Sequence, residues 1–303
     1  MKPNPPRSGL LTKGKDMGAL SGFRVLDLSR VLAGPWCGQI LADLGADVIK
    51  VERPGSGDDT RGWGPPWMKD TDGQPTREAA YYQSANRGKR SVAINLATEE
   101  GQALVRALAA NSDVLIENYK ANSLGKYGLD YASLSKLNPR LVYCSITGYG
   151  QDGPYKDLAG HDINYLGYAG VLGQIGHDGG APAIPNFQIA DLLGGALTAA
   201  MGILAAVIDA RSSGQGRYID VSMTDSVLAH TYFAMLRLND AGASAPRGGD
   251  LLSGGLPCYA TYRCADGGYM AVGALEGKFW ATACGVLGRQ GWVPRQWEPA
   301  LRD

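Results

Sequence analysis

Histidine and cysteine are scarce in this chain of 303 residues. It has three histidines and five cysteines, and the cysteines form no C-x-x-C pair and have no histidine at the spacing of zinc ligands. Their odd number and scattered positions do not predict a disulfide framework. We therefore expect reduced thiols and no metal site, as in a cytoplasmic protein.

Neither sign of charge is in excess. Lys plus Arg and Asp plus Glu both number 29, so the chain has no overall basic field that would attract nucleic acid or an anionic membrane. The most apolar stretch, 190–210, includes two aspartates and three glycines, which favours a buried helix over a membrane span. Residues 1–17 lack the apolar core of a signal peptide and are predicted to form a flexible extension.

Short β-rich runs alternate with helical stretches from Phe23 onward, a pattern typical of a parallel sheet with crossover helices. Strands are predicted at 24–28, 46–51, 114–117, 141–146 and 217–223, and helices at 35–44, 98–110, 131–137, 161–172, from 191 onward and at 225–238. This order predicts an α/β, doubly wound fold. Further along, strands 259–264 and 268–273 are predicted to form an antiparallel hairpin, followed by a helix after Glu276.

The same patterns predict the division into domains. We expect a large domain at 18–223, a linker helix and loop at 224–257, and a small α+β domain at 258–303. The small domain is expected to be incomplete, because periodicity is lost after its helix and the chain stops at Asp303. The segment 148–153 fits the dinucleotide pattern G-x-G-x-x-G, but Pro154 follows at once and no helix begins there, which favours a loop beside a site.

Three ionisable residues, His161, Asp191 and Glu276, each begin a predicted helix. The positive end of a helix keeps carboxylates ionised and imidazole neutral, which are the forms required of a base. A helix cap is an equally good interpretation of any one of them. His161 also precedes Asp162, and such a pair is more often structural than catalytic.

Five long runs carry a resemblance to a known family: GFRVLDLSRVLAGPWCGQILADLGADVIKVERP, NRGKRSVAINL, DVLIENYK, LNPRLVYCSITGYGQDGP and GQGRYIDVSMTDSVL. They resemble the family III CoA transferases (CaiB/BaiF), a superfamily that includes α-methylacyl-CoA racemase. The resemblance covers 17–288 and implies a Rossmann-like large domain that binds CoA, a smaller domain, and two chains interlocked as a homodimer. Because family members continue beyond the small domain, we expect an end at Asp303 to prevent normal closure of this ring.

Within the superfamily, three motifs resemble the racemase branch: Gly160-His161-Asp162-Ile163-Asn164-Tyr165, Ala190-Asp191 followed by Gly194 and Gly195, and Val272 to Glu276. This resemblance implies that His161 and Asp191 are two bases and that Glu276 supports His161. Inverting the α-carbon of a 2-methylacyl-CoA thioester requires one base on each face of that carbon, and the enolate oxygen needs donors such as the N–H groups where the Asp191 helix begins. We therefore predict a racemase without a cofactor, since CoA is part of its substrate.

The alternative is a family III CoA transferase, in which Asp162 attacks the thioester and forms an aspartyl-CoA intermediate. A third hypothesis is a catalytically inactive CoA-binding protein, suggested only by the incomplete small domain. The predicted CoA contacts are Arg53, Arg87, Lys89, Arg90 and Lys120. Arg53 follows the second strand, where doubly wound folds bind nucleotides, whereas Lys120 stands where many relatives have an arginine and cannot make its bidentate phosphate contact.

Overall fold

The structure is a computed structural model that describes residues 18–302, so the predicted extension 1–17 lies outside the described residues. Two compact units divide the chain: unit 1 contains the residues up to 158 together with 191–223, and unit 2 contains 159–190 and the residues from 224 onward. The predicted boundary after 223 coincides with a boundary between units. The segment 159–190 belongs to unit 2, although it was predicted to be part of the large domain, and 224–257 is part of unit 2 rather than a linker. Hydrogen bonds join these two segments, because Arg247 donates to the carbonyl oxygens of Gly173 and Gly180.

A six-stranded, all-parallel sheet forms the centre of unit 1. Its strands are β1 (Arg24–Asp27), β2 (Asp47–Glu52), β5 (Arg90–Ala93), β6 (Val114–Glu117), β7 (Val142–Thr147) and β8 (Tyr218–Ser222), in the order β5-β2-β1-β6-β7-β8. In chain order this is third, second, first, fourth, fifth, sixth, which is the Rossmann order. The predicted doubly wound α/β fold is confirmed. A separate antiparallel pair, β3 (Trp67–Lys69) and β4 (Pro75–Ala79), lies in the long connection after β2 and was not predicted.

The helices follow the predicted alternation with the strands. They are α1 (Ala33–Asp43), α2 (Ala80–Asn86), α3 (Glu99–Ala110), α4 (Tyr131–Leu137), α5 (Asp162–Tyr168), α6 (Val171–Gln174), α7 (Thr198–Ser213), α8 (Met223–Leu228), α9 (Tyr232–Ala241) and α10 (Gly277–Val286), with short 3-10 turns at Asp59–Gly62, Gly125–Tyr127, Gln290–Arg295 and Pro299–Leu301. The helix predicted at 161–172 is divided into α5 and α6, because Gly170 between them has a φ of 73°.

Helix α3 shows how local sequence determines a helix start. The Thr98 hydroxyl accepts a hydrogen bond from the backbone N–H of Gly101 at 3.1 Å, which satisfies one of the four free N–H groups at the helix start. A Cβ on Gly101 would lie 1.9 Å from the carbonyl oxygen of Asn95. Glycine is therefore required for the chain to approach its own preceding turn this closely.

A continuous helical segment runs from Ala190 to Ser213 and begins with π-helical turns at Ala190–Leu197. By length and composition it is apolar enough to cross a membrane. One face of α7 is buried in unit 1, through Ala199, Ala200, Ile203, Ala206, Val207 and Ala210. A Cβ on Gly195 would lie 2.9 Å from the Cβ of Ala33, so this glycine allows the π-helical turns to approach α1 closely.

Unit 2 contains the predicted hairpin. Strands β9 (Tyr259–Arg263) and β10 (Tyr269–Gly273) pair antiparallel, and Gly267 in the connecting turn has a φ of 86°. Helix α10 packs against the hairpin through Trp280 and Cys284, which share a small core with Cys258 and Ala274. The indole N–H of Trp280 donates to the carbonyl oxygen of Trp292 at 3.0 Å, so this buried polar group has a partner.

Candidate active site

A cavity of about 230 Å³ lies at the carboxyl ends of β1 and β2 in unit 1. Its lining includes Arg30, Lys50, Arg53, Asp58, Ile94 and Tyr119. Doubly wound sheets bind nucleotides outside the carboxyl ends of their strands, at the point where the strand order reverses. Strand β1 lies at that reversal, so the position of this cavity suits a nucleotide.

Arg53 lines this cavity, at the end of β2 where the sequence places it. The neighbouring Arg30 is paired with Asp59 at 3.3 Å. Within residues 18–302, Arg53 forms no such ion pair with a carboxylate. Its guanidinium is therefore available to a phosphate group in the cavity.

The other predicted CoA-binding cations have carboxylate partners. Arg87 pairs with Asp43 at 2.5 Å, Arg90 with Asp47 at 2.6 Å and Lys120 with Asp157 at 3.5 Å. All three pairs are exposed, so a phosphate could replace the carboxylate at little cost.

Lys89 differs from these cations because its side chain is only 2% exposed. Its ammonium group lies 2.8 Å from Oδ2 of Asp27, 2.7 Å from the carbonyl oxygen of Pro35 and 2.8 Å from Oδ1 of Asn86. A lysine ammonium has three N–H donors, and these partners occupy all of them. The arrangement disfavours the predicted contact of Lys89 with a CoA phosphate and assigns the residue to the core of unit 1.

His161 and Asp162 lie at the start of α5 in unit 2. His161 is the N-cap residue, and its backbone N–H donates to Oδ1 of Asn164 at 3.0 Å. The Tyr165 hydroxyl donates to the carbonyl oxygen of Gly160 at 2.5 Å, which holds the preceding loop against the helix. The imidazole of His161 is exposed and Asp162 is partly exposed, so both side chains can be reached by a ligand.

Asp191 and Glu276 also lie at helix starts, as predicted. Asp191 is in the first turn of the π-helical segment Ala190–Leu197 in unit 1, and π-helical turns are rare and frequently occur at functional sites. Glu276 is the exposed N-cap residue of α10 in unit 2. Within the described residues no hydrogen bond joins Glu276 to His161, so the support of His161 by Glu276 stays a prediction.

Three buried polar side chains, an ion pair and a glutamate, escaped the sequence analysis. Lys50 and Asp58 form an ion pair at 3.0 Å with both side chains 1% exposed, and the signal for it was a lysine among the apolar residues Val48, Ile49 and Val51 of β2. Glu117 at the end of β6 lines a second cavity in unit 1, of about 310 Å³. Burial raises the pKa of Glu117 to about 7, and hydrogen bonds from Ser145 and from the backbone of Tyr119 oppose that rise.

Comparison with known proteins places the chain in a family. The model of CoA-transferase family III matches residues 20–302. A succinate–glutarate CoA-transferase of Agrobacterium fabrum is 53% identical over 206 residues, covering 68% of this chain and 51% of that protein. Human alpha-methylacyl-CoA racemase is 39% identical over 270 residues, covering 89% of this chain and 65% of that protein.

A solved structure agrees with these sequence matches. The crystal structure of a CAIB/BAIF family protein from Brucella suis has a TM-score of 0.80 and 38% identity, and the match covers 92% of this chain and 72% of that one. The present chain spans between half and two thirds of the length of the two curated relatives. With matches in sequence over nearly its whole length and in fold, the chain belongs to CoA-transferase family III.

Proposed function

We propose that this protein acts on acyl-CoA thioesters and transfers CoA between carboxylic acids, with Asp162 as the nucleophile. The observation that carries this proposal is the 53% identity to a succinate–glutarate CoA-transferase. The human racemase and the human succinyl-CoA:glutarate CoA-transferase are both 39% identical to this chain. The comparisons therefore support transfer better than the racemisation that the motifs predict.

The chemistry requires a reachable carboxylate, which the partly exposed Asp162 supplies. Attack of this carboxylate on the thioester carbonyl carbon breaks the carbon–sulfur bond, forming an acyl anhydride and CoA thiolate. The thiolate then attacks the aspartyl carbonyl, giving an aspartyl-CoA thioester and releasing the first acid. An acceptor carboxylate reverses both steps and leaves as the new acyl-CoA, while the cavity beside Arg53 would hold the nucleotide part of CoA.

Racemisation is a second candidate, and a specific observation favours it. A transferase of this kind has no need of an imidazole, yet His161 directly precedes Asp162, and Asp191 lies in the π-helical turns. These residues would remove and return the α-proton of a 2-methylacyl-CoA from opposite faces. Each proton transfer contributes roughly 10²–10⁴-fold to the rate of such a reaction.

One pair of assays separates the two reactions. In the first, a 2-methylacyl-CoA is incubated with the protein in D₂O without an acceptor acid, and loss of the α-proton signal is followed by NMR. In the second, succinyl-CoA and glutarate are supplied and glutaryl-CoA is measured. We expect glutaryl-CoA to form, whereas α-proton exchange without transfer would replace the proposal by the racemase.

Variants then assign the residues. Asp162→Asn should abolish transfer, and Asp240→Asn, which changes an exposed aspartate of unit 2, should leave it unchanged. If exchange is observed instead, His161→Ala and Asp191→Asn should each remove it. The homodimer and the cytoplasmic location stay predictions from the sequence.

A further inference from the structure

The loop that follows β1 carries backbone groups to the wall of the nucleotide cavity, through Ser29 and Arg30. Nucleotide-binding folds of this type commonly form the corresponding loop from closely spaced glycines. Here the residues at 29–32 are Ser, Arg, Val and Leu. Contacts from other parts of the chain must therefore determine the path of this loop.

Buried Lys50 supplies one of these contacts. Its ammonium group donates to the carbonyl oxygen of Ser29 at 2.7 Å and lies 3.0 Å from Oδ2 of Asp58. With the side chain 1% exposed, the ammonium joins the loop after β1 to the loop after β2. Both loops line the cavity, through Ser29 on one side and Asp58 on the other.

Asp58 extends the connection to the next residues. Its carboxylate oxygens accept from the backbone N–H of Val31 at 3.2 and 3.3 Å, and one of them accepts from the backbone N–H and the hydroxyl of Thr60 at 3.0 and 2.8 Å. Val31 has a φ of 71°. A β-branched residue adopts this left-handed conformation only where its surroundings hold it there, and the hydrogen bond to Asp58 provides such a constraint.

Asn118 holds the residue between these two anchors. Its side-chain amide donates to the carbonyl oxygen of Arg30 at 2.7 Å, and its Oδ1 accepts from the backbone N–H of Arg30 at 2.9 Å. Three consecutive residues, 29 to 31, thus each have a backbone group bound by a side chain from another part of unit 1. The loop is already fixed without a ligand.

We propose that Lys50 is a positioning residue for CoA, which acts through Ser29 and Asp58 to hold the two loops that form the nucleotide cavity. This inference rests on the proposed function, because it takes CoA as the occupant. In the inferred role Lys50 determines affinity for the nucleotide half of CoA and has no part in the acyl chemistry.

The test removes the ammonium group without leaving a buried charge. Lys50→Met alone would leave the carboxylate of Asp58 uncompensated and is expected to destabilise the fold strongly. In the double variant Lys50→Met/Asp58→Asn, the asparagine oxygen still accepts from Val31 and Thr60, so the variant should fold. Arg217→Gln is the control, because it breaks an exposed ion pair with Asp209 in the same unit.

Binding of CoA and of adenosine 3′,5′-bisphosphate is measured by calorimetry, together with the midpoint of thermal unfolding. We expect the folded double variant to bind both ligands about tenfold more weakly, corresponding to the loss of one or two hydrogen bonds, and the control to bind as the parent does. Unchanged affinity in the folded double variant would overturn the positioning role of Lys50 and leave the proposed function standing. A parent chain that binds no CoA would overturn the proposed function and this inference with it.

A second measurement needs no variant and decides the matter if the double variant does not fold. Hydrogen exchange of the backbone amides of Val31 and Thr60 is followed with and without CoA. Because both amides already donate to Asp58, they should exchange slowly in the free protein and at nearly the same rate in the complex. Rapid exchange that becomes slow only on binding would show that the ligand orders the loops, which contradicts the inference.

Discussion

The buried carboxyl group of Glu117 accepts a hydrogen bond from the hydroxyl of Ser145, its neighbour in register on the adjacent strand β7. The hydroxyl of Tyr218 in turn donates to Ser145 at 3.2 Å, and the second carboxyl oxygen of Glu117 accepts from the backbone N–H of Tyr119 at 2.8 Å. Burial nevertheless dominates and raises the pKa of Glu117 to about 7. Around neutral pH this carboxyl group is therefore partly protonated.

Glu117 should make the stability of the protein fall as the pH rises. Its pKa is higher in the folded state than the ordinary value of 4.5, so the folded state binds more protons between these two values, and the free energy of unfolding decreases from about pH 4.5 to above pH 7. Glu117→Gln removes this dependence. The free energy of unfolding of the variant relative to the parent should therefore be about 2–3 kcal/mol higher at pH 8 than at pH 5. Urea unfolding at both pH values measures this difference.

The control for this experiment is Glu100→Gln, which changes an exposed glutamate in the first turn of α3. Its effect should be the same at both pH values. An equal stability difference for Glu117→Gln at pH 5 and pH 8 would mean that the carboxyl group titrates normally in the folded protein.

Lys89 and Arg90 are adjacent in sequence but should differ greatly in their effect on stability. Lys89→Met leaves the fully buried carboxylate of Asp27 without its 2.8 Å partner, and we expect a loss of about 3–5 kcal/mol. Arg90→Gln breaks an ion pair whose two side chains are 65% and 41% exposed, and should cost less than about 1 kcal/mol. Equal losses in urea unfolding would refute the assignment of Lys89 to the core.

The cap of α3 should contribute measurably to folding. Thr98→Ala removes the hydroxyl that accepts from Gly101 and should cost about 1 kcal/mol, whereas Thr98→Ser keeps the oxygen and should cost little. Gly101→Ala should be worse than either, because its new Cβ would clash with the carbonyl oxygen of Asn95. Thermal unfolding followed by circular dichroism orders the three variants, and a neutral Gly101→Ala would contradict the close approach.

Arg53 should contribute to affinity for CoA by binding the phosphate groups of CoA. A charge-assisted hydrogen bond to phosphate is stronger than a neutral one, and its loss in Arg53→Ala should weaken CoA binding about tenfold. Arg87→Ala is the matched comparison, since that arginine is paired with Asp43 and should have a smaller effect. Calorimetry at low and high salt measures both, and an Arg53 variant that binds as tightly as the parent would locate the phosphates elsewhere.

Local patterns predicted the elements whose stability depends on nearby residues. Strand β6 and helix α4 begin and end where the sequence analysis placed them, and α3 lies within the helix predicted at 98–110, with Thr98 as its cap. The short strands β3, β4 and β5 escaped prediction, because they are only partly buried and lack a clear alternation of apolar and polar residues. Strand β5 pairs with β2, which is distant in the sequence. Strands β3 and β4 flank a turn with Asp72-Gly73, a hairpin signal that the sequence analysis did not use.

In the candidate site, too, local sequence predicted some features and tertiary contacts determined the others. His161, Asp191 and Glu276 were placed at helix starts from their neighbours alone, and each does begin a helix. The cations predicted to bind CoA were chosen by charge and position, a criterion that does not distinguish buried Lys89 from exposed Arg90. That distinction required Asp27, Pro35 and Asn86, which approach Lys89 only in the folded chain.

By itself the sequence determined the α/β alternation, the positions of most helices and strands, and the family to which the chain belongs, because periodicity, caps and long matching runs are properties of contiguous residues. Only the tertiary structure decided the strand order, the assignment of 159–190 to unit 2, and the roles of Lys50, Asp58 and Glu117. The physical reason is that the energy of a charged group depends on its burial and its partners. Both are determined when distant segments of the chain pack together.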